Sequence, residues 1–127
     1  MIAGSRLHHL ALGACDVDRV ASFYRDALGF PEVQRHHTED GELRSVWLDM
    51  GSSLLMVERT AEARRRVEGI GSGPFLIAIR IPASLRREWE NRLEAHGASI
   101  ESRTRYTSYA RDPEDNRIAI SHYRDDQ

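Results

Sequence analysis

The chain lacks most of the features that would place it outside an ordinary globular class. It has one cysteine, Cys15, in 127 residues, so no internal disulfide can form, which fits a reducing cytoplasm. Its formal net charge is only -2, with both signs interspersed, which argues against nucleic acid or an anionic membrane as a partner. No apolar run reaches the length of a membrane span, and the N-terminus has no apolar segment typical of a secretory signal. We therefore expect a cytoplasmic protein.

The overall composition predicts one folded domain, spanning residues 1–127. Hydrophobic residues make up 40% and charged residues 30% of the chain, as in typical soluble globular proteins. The sequence also lacks the spacing of a Ser-His-Asp triad, a phosphate-binding glycine loop and a Cys-x-x-Cys pair. The evidence for function therefore lies in how the secondary structure elements are ordered.

The first half of the chain predicts a strand, a helix and three further strands. Leu10 and Leu12 alternate with His9, which predicts a strand whose leucines face the helix and whose histidine faces away. Asp16 is a good N-cap for the helix, and Gly29 provides its stop. The turn signal Asp40-Gly41 predicts a hairpin. The three strands after the helix are expected over 32–38, 42–49 and 54–58.

The second half repeats this order. A strand over 75–81 leads into a helix that we expect Ser84 to cap and Gly97 to end. The apolar face of this helix is predicted from helical spacing and consists of Leu85, Trp89, Leu93 and His96. Further strands are expected over 99–104, 106–111 and 117–123. The sequence thus predicts an α+β fold with two βαβββ modules, at 6–58 and 74–123, joined by a linker over 59–73.

Three segments resemble the vicinal oxygen chelate superfamily, which includes glyoxalase I, extradiol dioxygenases, fosfomycin-resistance transferases and bleomycin-binding proteins. The segments are His9-x-x-Leu12, Phe23-Tyr24-Arg25-Asp26-x-Leu28-Gly29-Phe30 and Arg111-Asp112-Pro113-Glu114-Asp115-Asn116-Arg117-Ile118. The resemblance extends over nearly the whole chain. It implies that the mixed sheets of the two modules form a cup, commonly in a homodimer whose subunits exchange modules.

The resemblance also implies four positions that hold a divalent metal in family enzymes. They fall on His9, near Met56, on Leu76 and on Ala119. Only His9 carries a nitrogen or oxygen donor, whereas a catalytic metal site needs about three such ligands. Glu58 shares the strand face of Met56, but it lies ~6.6 Å further along the strand. We therefore expect no cofactor, and a divalent metal held by other residues is the less favoured alternative.

Several side chains are candidates to contact a ligand in the cup. His9 could act as a general base or hydrogen-bond donor, and Tyr109 as an acid. Arg80 suits a carboxylate or phosphate, although an arginine at a strand end also simply reaches water. Trp47 could stack on an aromatic ligand, with core packing as the alternative. The full predicted ligand-binding set is His9, Trp47, Met56, Glu58, Leu76, Arg80, Thr107, Tyr109 and Ala119.

Two main function classes remain open. The first is a homodimeric binding protein that captures a small aromatic or amphipathic molecule in a metal-free cup. The second is a lyase, isomerase or dioxygenase of the same superfamily, either metal-free with His9 as base or with a metal on unpredicted ligands. A subunit of a larger assembly with no ligand of its own is a third possibility. The apolar side chains of Met56, Leu76 and Ala119 favour the first class, because they would form a dry floor.

Overall fold

The computed structural model describes residues 2–63 and 65–124, so both ends of the predicted domain and Arg64 of its linker lie outside the description. The contacts within the chain divide it into two compact units, Met1–Ala63 and Arg64–Gln127, and the boundary falls within the predicted linker. Each unit contains a strand, a helix and three more strands in that order. The predicted α+β fold of two βαβββ modules is therefore confirmed.

The N-terminal unit is a four-stranded mixed sheet with one helix. Its strands have the spatial order β1-β4-β3-β2, in which β1 runs parallel to β4 and the other neighbours are antiparallel. The elements are β1 (His9–Ala14), α1 (Val17–Asp26), β2 (Glu32–His37), β3 (Leu43–Asp49) and β4 (Leu54–Arg59). All five predicted elements of this unit are thus present.

Local signals place α1 as the sequence predicts. The Asp16 carboxylate accepts a hydrogen bond from the backbone N–H of Arg19 at 3.1 Å, which caps the helix. Gly29 takes a φ of 76° where the chain leaves the helix, a conformation that glycine adopts without strain. The helix buries Phe23 and Tyr24 on the side that packs against β3 and β4. The facing side chains of these strands are fully buried, namely Val46, Leu48, Leu55 and Val57.

The C-terminal unit repeats the same topology. Its sheet has the order β5-β8-β7-β6, with β5 parallel to β8. The elements are β5 (Ile77–Arg80), a short 3-10 helix (Ala83–Leu85), α2 (Arg86–Ala95), β6 (Ser102–Arg103), β7 (Thr107–Arg111) and β8 (Arg117–Ser121). β6 is much shorter than predicted: its two residues pair with β7, and one backbone hydrogen bond to β7 flanks them on each side, from Glu101 and from Thr104.

The start of α2 differs from the prediction. Ser84 lies inside the 3-10 helix, which is closed by a hydrogen bond from Leu85 N–H to the Pro82 carbonyl. The α-helix begins at Arg86, and no side chain caps it. The predicted Ser84 cap is therefore wrong, because the turn that follows Pro82 displaces the helix start.

The buried face of α2 also differs from the prediction. Its buried residues are Glu90 and Leu93. Glu90 is buried because its carboxylate accepts hydrogen bonds from Ser108 and Arg103 of the sheet. Only Leu93 is buried among the four residues predicted to form the apolar face, which also included Leu85, Trp89 and His96. Among the described residues, neither helix has the length and apolar character needed to cross a membrane.

Candidate ligand-binding site

The face of the N-terminal sheet opposite α1, called here the N-terminal face, collects four of the predicted ligand-binding residues. Val46 and Leu48 are buried toward α1, so Trp47 between them projects to the other side. The same alternation places Met56 and Glu58 of β4 and His9 of β1 on this face. The registry joins these residues in three rows, which are His9–Leu54–Asp49, Ala11–Met56–Trp47–Gln34 and Gly13–Glu58–Ser45–His36.

His9 is exposed at the start of β1 and is paired with the residue before it. Its Nδ1 lies 2.8 Å from the Nδ1 of His8, and the two rings meet edge-on with centroids 5.1 Å apart. One of these nitrogens must carry the hydrogen and the other must accept it, so the two rings hold complementary tautomers. Because the bond occupies Nδ1 of His9, a ligand would meet its Nε2.

Trp47 and His36 form an aromatic pair on the same face. Both are half-buried, and their ring centroids lie 5.1 Å apart at a tilt of 59°. Their ring nitrogens, Trp47 Nε1 and His36 Nε2, are buried and have no hydrogen-bond partner within the described part of the chain. Sequence reasoning gave His36 no role, because a polar edge strand is enough to explain a histidine there.

A cavity of about 400 Å³ lies at the edge of the N-terminal unit where β1 begins and β3 turns into β4. His8, the partner of His9, lines it, together with the exposed side chains of Leu7 and Val33. Asp49 and residues 51–54 form the remaining wall with Arg6. None of the predicted ligand-binding residues lines this cavity.

The face of the C-terminal sheet opposite α2, called here the C-terminal face, collects the remaining predicted residues of the strands. Ser108 bonds to Glu90 of α2, so its neighbours Thr107 and Tyr109 project to the opposite side. Ala119 pairs with Tyr109 on one side and Ala78 on the other. Leu76 lies just before β5 and is half-buried.

Polar contacts already occupy several side chains of the C-terminal face. The guanidinium carbon of Arg117 lies 4.3 Å from the centre of the Tyr109 ring, within the range of a cation–π contact. The Thr107 hydroxyl is 2.8 Å from that of Ser121. Arg80 is exposed and donates to the backbone carbonyl of Tyr123 at 3.1 Å. A ligand that bound the Arg80 guanidinium would therefore share its N–H donors with the Tyr123 carbonyl.

The residues present do not fit the divalent metal that the resemblance implies. Ala119 is 3% exposed, and its strand neighbours on the same face, Ala78 and Tyr109, offer no carboxylate or imidazole. Across residues 2–63 and 65–124, no group of three or more His, Cys, Asp or Glu side chains could hold a metal ion. A catalytic metal site needs about three protein ligands, and the four implied positions supply one, His9.

Comparison with known proteins identifies relatives at the level of the family and the fold. Residues 6–120 match the family model of the Glyoxalase/Bleomycin resistance protein/Dioxygenase superfamily. No curated protein matches the chain.

Several solved structures are similar to the chain over nearly its whole length. One is a variant of the fosfomycin resistance protein FosX from Listeria monocytogenes in complex with Mn(II) and dihydroxypropylphosphonic acid, at 17% identity and a TM-score of 0.78, covering 96% of this chain and 94% of that chain. Lactoylglutathione lyase from Agrobacterium tumefaciens is 23% identical with a TM-score of 0.70, over 94% and 95% of the two chains. TioX from Micromonospora sp. ML1 is 22% identical with a TM-score of 0.69, over 94% and 99%. At these identities, the structural similarity shows that this chain and those proteins share a fold.

Proposed function

The chain belongs to the Glyoxalase/Bleomycin resistance protein/Dioxygenase superfamily, and we propose that within it the protein binds a small organic molecule without a metal. One observation carries this proposal. Three of the four positions where the resemblance implies metal ligands hold Met56, Leu76 and Ala119, whose side chains have no nitrogen or oxygen donor. Side chains of this kind favour contact with apolar ligand surface over contact with a hydrated cation.

The side chains of the N-terminal face support an aromatic or amphipathic ligand. Trp47 and Met56 lie directly opposite each other on neighbouring strands, which gives this face a polarisable apolar centre. Polar groups surround this centre, with His9 in one adjacent row and Glu58 in the other. Ligand sites of small-molecule binding proteins combine such an apolar floor with a few polar groups that fix orientation. We also propose that the protein is a homodimer located in the cytoplasm.

The pairing of His8 with His9 favours a second candidate, a metal-free lyase or isomerase. In the tautomer in which His9 donates its Nδ1–H to His8, the Nε2 atom of His9 carries no hydrogen. The lone pair of that atom could then take a proton from a carbon next to a carbonyl group. In the other tautomer Nε2 carries a hydrogen and can only donate it to a ligand. A role as base thus requires the tautomer of His9 with no hydrogen on Nε2, whereas donation to a ligand requires the other tautomer.

Screening with a His9→Ala variant separates the two candidates. A library of aromatic and amphipathic molecules would be tested for binding by thermal shift and calorimetry, with and without a chelator, and each hit followed for turnover. His37→Ala is the matched control, because His37 is an exposed histidine at the end of β2. A binding protein captures its ligand with or without chelator and in His37→Ala, and no turnover is seen in any form of it. Turnover that only His9→Ala abolishes would establish the enzyme, and hits that require added metal would contradict both candidates.

A further inference from the structure

We propose that the N-terminal face selects organic cations, such as aromatic amines or amidines, through Glu58 and Trp47. This inference rests on the proposed binding function and specifies the chemical class of its ligand. It follows from the charges on this face and from the position of its indole ring.

The Glu58 carboxylate is half-buried, yet its charge is not compensated. The described part of the N-terminal unit has two other partly buried carboxylates, and both are engaged. Glu32 pairs with Arg35 at 2.8 Å, and Asp49 accepts a hydrogen bond from the backbone N–H of Gly51 at 2.7 Å. The Glu58 carboxylate has no hydrogen bond and no ion pair with any residue in 2–63 or 65–124. A partly buried carboxylate without a partner attracts a cation more strongly than an exposed one does.

The N-terminal face also has no arginine or lysine to balance this charge. The three rows that form it contain neither arginine nor lysine, and the chain as a whole has no lysine. Arg59 follows Glu58 in β4, but alternation turns it to the side of α1. There it pairs with Glu42 and donates to the Cys15 carbonyl. The face therefore carries negative charge that a ligand would have to balance.

Trp47 provides the second contact for a cation. It lies directly opposite Met56, and Glu58 is two residues further along the same strand. This makes Trp47 and Glu58 diagonal neighbours, whose Cα atoms lie about 7–8 Å apart in an antiparallel pair. A cation is attracted to an indole face within ~6 Å of its centre. One ammonium or amidinium group can therefore contact the indole ring and the carboxylate together.

The aromatic pair supplies a built-in reporter of binding. Trp47 Nε1 and His36 Nε2 are closed off from solvent and have no hydrogen-bond partner in the described chain, which is an unfavourable state for polar atoms. A cation held against the indole face changes the electrostatic surroundings of the Trp47 N–H without bonding to it. Ligand binding should therefore change the environment of this N–H group.

Nuclear magnetic resonance of the indole N–H tests the proposal directly. The chain has two tryptophans, so Trp89→Phe leaves the Trp47 signal alone. Three probes of similar shape and different charge would be titrated, namely benzylamine as the cation, benzyl alcohol as the neutral form and benzoate as the anion. We expect benzylamine to shift the Trp47 signal and to bind about tenfold more tightly than benzyl alcohol, with benzoate weakest.

Substitution of the carboxylate provides the matched comparison. Glu58→Gln keeps the shape and removes the charge, whereas Glu39→Gln removes an exposed charge elsewhere in the same unit. The preference for benzylamine over benzyl alcohol should vanish in Glu58→Gln and persist in Glu39→Gln. Equal binding of all three probes, or a preference that survives in Glu58→Gln, would overturn the cation proposal and leave small-molecule binding intact. If the library screen also finds no ligand of any charge, the proposed function itself fails.

Discussion

Replacement of Glu90 is the sharpest test of how the C-terminal unit is held together. Its side chain is 7% exposed and accepts hydrogen bonds from Ser108 Oγ at 2.6 Å and from Arg103 at 2.9 and 3.2 Å. Hydrogen bonds to a charged group contribute about 1.5–3 kcal/mol each. Arg103 is 53% exposed, so water can replace most of the hydrogen bonding that its guanidinium loses when Glu90 is removed. Ser108 is fully buried, but Arg86 still donates to its oxygen.

From these contacts we expect Glu90→Gln to lower the free energy of unfolding by about 1.5 kcal/mol, because glutamine keeps an acceptor and loses the charge. Glu90→Ala should cost about 3 kcal/mol, since it removes every acceptor and leaves a void. Urea denaturation followed by circular dichroism measures both values. Glu88→Ala is the control, as Glu88 is an exposed residue of the same helix. Equal effects of Glu90→Ala and Glu88→Ala would refute the buried network.

The pH dependence of the same network has a defined sign. The hydrogen bonds from Arg103, followed by that from Ser108, hold the pKa of Glu90 below its usual value, against the opposing effect of burial. A lowered pKa in the folded state means that the stabilisation is present above the unfolded pKa of about 4.3 and is lost as the pH falls through the folded value. The stability difference between the parent protein and Glu90→Gln should therefore shrink on acidification below about pH 4. A difference that stays constant or grows there would contradict this.

Two further predictions concern the C-terminal unit. Asp112 is 4% exposed and accepts from the backbone and side-chain N–H groups of Asn116, so Asp112→Ala should lower the free energy of unfolding by about 2–3 kcal/mol. A loss below about 0.5 kcal/mol in urea denaturation, the range of ordinary surface changes, would contradict it. The Arg111 side chain is 10% exposed and donates to the Val67 carbonyl at 2.7 Å, so Arg111→Met should speed limited proteolysis around Val67 by about tenfold. Cleavage no faster than in the exposed-surface control Arg87→Met would refute that anchoring role.

Local chemistry explains why the N-terminal unit was predictable. The Asp16 cap, the Gly29 stop and the strand alternation each depend on residues close together in the chain. The turn at Asp40-Gly41 is local in the same sense, but the hairpin registry is not, because it shifts between His36 and His37. The pairing of His36 with Ser45, which makes it a diagonal neighbour of Trp47, could not be counted outward from the turn.

Tertiary contacts explain what the sequence did not predict. The burial of Glu90 depends on Ser108 and Arg103, which lie on other elements, and no local pattern distinguishes it from an exposed glutamate. The bond between His8 and His9 depends on side-chain rotamers at the start of β1. The unpartnered nitrogen of Trp47 likewise depends on how the ring is buried. Strand alternation thus predicted that His9 faces away from the helix, whereas the facing of Trp47 and Arg80 and the contacts of all the candidate residues come from the structure.

The metal content of untagged protein tests the central claim most directly. The protein would be incubated with excess nickel, manganese, zinc and iron(II), desalted, and measured by mass spectrometry together with an unincubated sample. Because His9 is the only nitrogen or oxygen donor at the four implied ligand positions, we predict near-zero occupancy in every sample. Tight retention of about one metal ion per chain would contradict this claim, and would show that residues outside those four positions complete a metal site.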